Sequence, residues 1–148
     1  MCIRDRLSVD SDTDTDVYSF IAGAGTALDV SLTPTGMTYL SGPQNADSSC
    51  SAGTNYNSLI VQDLQVRVLD VNGTTELASA DLNGTGQAEV LEDVELSSGA
   101  GTYFVEITGD STYEAQMYLL SLTISSSTHL FSDGFQLGST SLWSNSVP

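Results

Sequence analysis

DVYSFIAGAGTALDVSLTP, Asp16 to Pro34, contains two runs with the same rhythm. In Asp16 to Ala22 the residues Tyr18 and Phe20 fall on one face, and in Ala27 to Pro34 the residues Leu28, Val30 and Leu32 do. A period of two is that of a half-buried β-strand, whose side chains alternate between core and solvent. The AGAG between the runs, Ala22 to Gly25, reads as a turn.

The rhythm continues along the chain. SLIVQ (Ser58 to Gln62) and LQVRVLDV (Leu64 to Val71) are strand-like, the second with Leu64, Val66 and Val68 facing one way. Asn72-Gly73 predicts a tight type I′ hairpin turn, both of whose central residues need positive φ, leading into TTELASA (Thr74 to Ala80). A second Asn-Gly pair, Asn83-Gly84, precedes AEVLEDVEL (Ala88 to Leu96); TYFVEIT (Thr102 to Thr108) and QMYLLSLTIS (Gln116 to Ser125) follow. Between the early and late strands, Ser41 to Ser58 has the Gly, Pro, Asn and Ser content of a long surface loop. Glycine and β-branched residues interrupt every helical window. The expectation is an all-β sandwich of about eight short antiparallel strands.

The 148 residues are 40% apolar, enough for one core, and carry a formal charge of -16. A surface this acidic repels phosphate backbones and anionic lipid, which argues against nucleic-acid and peripheral-membrane roles and favours cations as partners. No stretch approaches the roughly 20 apolar residues that span a bilayer. The Gly, Ser, Thr and Asp-rich, lysine-free composition reads as that of a secreted or cell-surface protein.

The first six residues, MCIRDR, differ from the rest. They hold Arg4 and Arg6, whereas from Leu7 to Pro148 the only basic residue besides the single histidine is Arg67. Met1 to Arg6 resembles one reading frame of the transposon end used in sequencing adapters, so residues 1–6 are expected to be adapter-derived and the chain to be a fragment cut on its N-terminal side. MCIRDRL has no apolar segment behind it of the kind a signal peptide needs. Residues 7–15 then read as an acidic linker, 16–126 as the sandwich, and 127–148 as a Ser-rich linker and tail with Phe131, Phe135 and Trp143 as aromatic anchors.

Taken together, DVYSF (Asp16 to Phe20), AGAGTALDVSLTP, SGAGTYFVEITGD (Ser98 to Asp110) and QMYLLSLTIS resemble the bacterial pre-peptidase C-terminal domain over roughly Asp10 to Ser126. The resemblance implies a jelly-roll-like β-sandwich and a non-catalytic module at the C-terminal end of a secreted serine or metallopeptidase. Its partner would be an upstream catalytic domain of the same chain, and its role secretion, stability or attachment to a surface or polymer. FSDGFQLGSTSLWS (Phe131 to Ser144) is similar to the DGFE-type ending of exported bacterial proteins, with departures at Gln136, Ser139 and Leu142; equally, it reads as a tail whose aromatics pack on the sandwich. The rival function is a carbohydrate- or collagen-binding module.

Candidate sites are few. Asp10, Asp12, Asp14 and Asp16 occupy every second position, with Asp110 in a later turn as a further contributor. On an extended strand such carboxylates sit roughly 6.7 Å apart on one face, which suits either a calcium site or a solvated acidic linker. The run lacks the Gly and Glu of an EF-hand loop, having Thr15 and Ile21 there. Tyr39, Tyr56 and Tyr113 lie in or beside loops, where tyrosines form a platform for sugar rings or polymer, or else roof the core. Cys50 calls for a partner elsewhere or is a free thiol, and His129 has no second histidine to make a zinc site or a G-x-S-x-G to make a triad.

Overall fold

In a computed structural model of the chain, residues 2–43, 45–47, 49, 53–112 and 114–126 are described, with side chains from Ser8 onward. Ten strands occur: β1 (Cys2–Val9), β2 (Thr15–Ala22), β3 (Thr26–Thr35), β4 (Thr38–Ser41), β5 (Thr54–Asn57), β6 (Leu64–Leu69), β7 (Glu76–Ala80), β8 (Glu89–Glu95), β9 (Gly101–Gly109) and β10 (Gln116–Ser126). There is no helix among the described residues.

Eight of the strands form two four-stranded sheets, in the orders β1-β10-β3-β8 and β2-β9-β6-β7, and β4-β5 is a separate two-stranded ribbon. Every pairing is antiparallel. Four of them are nested: β6 pairs with β7, β3 with β8, β2 with β9 and β1 with β10. The chain is thus doubled on itself as one long hairpin and rolled until β10 meets β3 and β9 meets β6. That is the jelly roll, in which two packed sheets share one core.

The alternation that announces these strands is the burial pattern observed. Leu28, Val30 and Leu32 of β3 face Phe20 and Ala22 of β2, Val66 and Val68 of β6, Tyr103, Val105 and Ile107 of β9, and Tyr118, Leu120 and Leu122 of β10 in one buried cluster. Phe20 and Tyr103 stack at 5.9 Å between ring centroids, and the Tyr103 hydroxyl donates to the carbonyls of Leu96 and Gly99. On the outer face of its sheet, Arg67 is ion-paired with Glu106, directly opposite it on β9, and with Glu76 at 3.5 Å. A bulge sits where Asp29 opposes both Glu92 and Asp93; Asp93 takes φ 54°, and its N–H donates to the Asp29 carboxylate at 2.9 Å.

Four expectations are corrected. The stretch Ser58 to Gln62 is not a strand: Asn57 closes a turn on it, accepting from the N–H of Leu59 at its side chain and of Ile60 at its carbonyl. The eighth sandwich strand is instead β1, so residues 7–9 are not linker; Val9 is fully buried, and the acidic stretch is reduced to the turn between β1 and β2. The long loop begins where β4 ends, at Ser41, and carries the paired strand β5 near its far end. Finally, Asn72-Gly73 is not a type I′ turn. Only Gly73 has positive φ, 69°, because the Asn72 carboxamide accepts from the N–H groups of Thr74 and Thr75 and holds a wider loop closed by Gly73 N–H on Asp70 O. Residues 127–148, with the expected tail anchors, lie outside the described residues, as do Cys50 and Tyr113.

Leu32 is fully buried between β10 and β8. Leu32→Ala is expected to cost about 2–5 kcal/mol in urea unfolding, and Ile21→Ala, on a side chain 76% exposed, no more than about 0.5 kcal/mol. Because the strand pairing closes at Ser126, a chain ending there is expected to retain a cooperative melt.

Candidate functional site

Strand register places one set of connections together at one end of the sandwich. Val9 pairs with Gln116, Met117 with Thr35, Thr15 with Thr108, Leu64 with Gly109, and Leu32 with Glu89. The connections at residues 10–14, 36–63, 81–88 and 110–115 therefore share that end, and those at 23–25, 70–75 and 96–100 share the other. All the site residues expected from sequence that are described here, Asp10, Asp12, Asp14, Asp16, Asp110, Tyr39 and Tyr56, belong to the first end; Tyr113 is outside the described residues.

The aspartates are not spaced along an extended strand. Asp10 to Asp14 make a turn in which Asp14 N–H donates to Ser11 O at 3.1 Å and the Asp14 carboxylate accepts from Asp10 N–H at 2.9 Å. The turn forms because a short carboxylate satisfies backbone donors that no strand partner reaches. Asp12 is exposed. Asp16, on β2, lies on the same alternating face as Tyr18 and Phe20, and its carboxylate accepts from the Tyr118 hydroxyl at 2.5 Å. Tyr18 and Tyr118 hydroxyls are 2.7 Å apart. Burial first, then the hydrogen bonds to Asp16 and Tyr18, hold the Tyr118 hydroxyl far above the usual tyrosine range, so it stays protonated and donates. Asp110 accepts from Asp63 N–H at 2.9 Å. Among the described residues no three of His, Cys, Asp and Glu form a group that could hold a metal ion. The expected calcium ligands are thus divided between a turn, the sheet interface and a separate loop.

The tyrosines do come together. Tyr39 on β4 and Tyr56 on β5 are directly opposed, with ring centroids 5.3 Å apart and planes tilted by 56°. Their ribbon is bonded to neither sheet by strand pairing and carries other apolar side chains to solvent: Tyr39 is 49% exposed, Leu40 45%, and nearby Met37 70%. Desolvation, then the charge of Glu114 and the neighbouring Tyr39, raise the Tyr56 phenol, which therefore remains a hydrogen-bond donor at neutral pH.

Polar residues that attract no notice in the sequence secure this end from within. Gln62 is fully buried; its Nε2 donates to the carbonyls of Val9 and Glu114, and its Oε1 accepts from Ser111 N–H at 3.5 Å. Gln116, also fully buried, accepts from Val61 N–H and donates to Thr35 O. Glu89, 1% exposed, accepts from the N–H groups of Leu82 and Asn83. Each satisfies loop backbone that would otherwise be buried without partners. Their one sequence signal is a polar residue breaking an apolar run, as in Val61-Gln62-Asp63-Leu64.

Two aspartates of the alternating run should respond oppositely. Asp16→Ala leaves the buried Tyr118 hydroxyl without its charged acceptor and is expected to cost about 1–3 kcal/mol by urea unfolding, whereas Asp12→Ala should leave the midpoint unchanged. No protein-family model matches this chain, and no curated protein sequence does.

Proposed function

We propose that this domain is a non-catalytic accessory module of an exported bacterial protein, following a peptidase catalytic domain in the parent chain and aiding its secretion, stability or attachment. The observation that supports this reading is the nested jelly-roll pairing of all eight sandwich strands, the architecture implied by the resemblance of DVYSF, SGAGTYFVEITGD and QMYLLSLTIS to the pre-peptidase C-terminal domain. The proposed partner is the upstream catalytic domain. The test is the complete gene: coding sequence ahead of Leu7 is expected to specify a signal peptide and peptidase motifs such as H-E-x-x-H or a Ser-His-Asp set, and the isolated chain to leave casein and gelatin uncleaved. Only adhesin-like repeats upstream, or hydrolysis by the pure chain, would refute it.

A second reading, a binding module for polysaccharide or a fibrous protein such as collagen, is favoured by the pairing of exposed Tyr39 with partly exposed Tyr56. Aromatic rings held at low entropy cost on a separate ribbon are suited to contact with sugar or peptide surfaces. On this reading the chain co-sediments with insoluble chitin, cellulose or collagen, and Tyr39→Ala or Tyr56→Ala lowers retention at least about tenfold while the melting temperature is kept, the scale of a truncated binding hot spot. Equal retention by wild type and both variants would remove the tyrosine pair from any binding role.

A further inference from the structure

Two Asn-Gly pairs stand in connections at opposite ends of the sandwich, Asn72-Gly73 between β6 and β7 and Asn83-Gly84 between β7 and β8. The fold holds them differently. At the first, the Asn72 carboxamide oxygen accepts from the N–H groups of Thr74 and Thr75, both at 2.9 Å, and its Nδ2 donates to Thr75 Oγ1 at 2.7 Å. The Gly73 N–H is engaged as well, with Asp70 O at 2.8 Å. At the second, Asn83 Nδ2 donates to Ala88 O at 2.8 Å, but among the described residues no backbone carbonyl accepts from Gly84 N–H. Asn83 and Gly84 are both exposed, and beyond its chain neighbours nothing lies within 4 Å of where a Cβ on Gly84 would stand.

We propose that Asn83-Gly84 is a site of spontaneous deamidation through a cyclic imide, and that the fold withholds the same reaction from Asn72-Gly73. The Gly84 amide nitrogen gives its proton to solvent base and bonds to Asn83 Cγ; the Cγ–Nδ2 bond breaks, and the nitrogen leaves as ammonia with a proton taken from water. A water molecule then opens the imide, its hydroxyl going to one carbonyl carbon and its hydrogen to Gly84 N. Opening at Cγ leaves an aspartyl side chain, and opening at the main-chain carbonyl leaves an isoaspartyl link with an extra methylene in the backbone. Glycine suits the second position because it puts no side chain beside the attacking nitrogen. At Asn72 both the attacking N–H and the carboxamide are held, so the ring closes only after those hydrogen bonds break. The consequence at Asn83 falls on the end that carries the tyrosine ribbon. Either product loses the donor to Ala88 O and adds a carboxylate to the residue whose backbone N–H the buried Glu89 already holds. The same connection lies against the segment that leaves the ribbon, since a Cβ on Gly86 would stand 3.0 Å from Leu59 O.

The test keeps the full chain folded in mildly alkaline buffer and, in parallel, unfolded in urea, and follows both pairs by peptide mapping with mass spectrometry, which reads conversion of amide to acid and the isoaspartyl form. In the folded chain Asn83 is expected to convert at least about tenfold faster than Asn72, the factor that one or two intramolecular hydrogen bonds supply, and in urea the two rates should converge. Gly84→Ala, whose added Cβ meets open space, should fold as wild type does and suppress conversion at Asn83 while Asn72 keeps its wild-type rate. Asn83→Asp, the aspartyl product, is expected to melt a few degrees below wild type. Equal rates at the two pairs in the folded chain, a faster Asn72, or conversion of Asn83 in urea alone would overturn the proposal. Asn83→Asp melting with wild type would refute the effect on this end of the sandwich.

Discussion

The hydroxyl of Tyr118 crosses from one sheet to the other. Its strand, β10, is an inner strand of the first sheet; its hydrogen-bond partners, the Asp16 carboxylate that accepts from it and the Tyr18 hydroxyl, belong to β2 at the edge of the second. A tyrosine with no exposed surface is stable only if its hydroxyl finds a partner, and a charged acceptor makes a stronger bond than a neutral one. This contact therefore fixes how β2 lies over β10. Phe20 and Tyr103, register partners on β2 and β9 of the second sheet, stack within the same core, where the apolar faces of β3, β6 and β9 close over one another.

The nested pairing has a functional consequence. A chain doubled on itself and rolled brings its connections to two ends, and here the polar burden is unequal. The end with the tyrosine ribbon is held by two fully buried glutamines, a buried glutamate and the Asp63–Asp110 contact. These groups replace strand pairing in segments that must leave the sheets. They also concentrate carboxylates at the end that carries the tyrosine ribbon.

Arg67 shows how the rest of the acidic surface is managed. It is the only arginine or lysine after Arg6, and it stands opposite Glu106 while also reaching Glu76, so one cation serves two carboxylates on neighbouring strands. Most of the remaining acids are dispersed at turns and strand edges, where water screens them, or accept from backbone N–H groups, as Asp29, Asp70 and Glu89 do. The high net charge is thus compatible with a close-packed interior.

Alternation of apolar residues together with turn signals placed seven of the eight sandwich strands, because a half-buried strand must repeat every two residues and helix-period runs are missing. It also placed Leu28, Val30, Leu32, Val66 and Val68 in the core, where they are. Only the tertiary structure decided the rest. SLIVQ has a strand's composition, but Asn57 turns the chain there and Gln62 spends its side chain on distant carbonyls. β1 became a strand because β10 had a free edge to offer, a property of the sheet and not of Cys2 to Val9. Asp10 to Asp16 look equivalent in sequence, yet a turn and a sheet interface give them different partners. Tyr39 and Tyr56, 17 positions apart, meet through a pairing of short strands that local pattern does not encode, since register is set by hydrogen bonds between segments. The enclosure of the Asp63 Oδ1 is not legible in the sequence, because it depends on which loops fold over it.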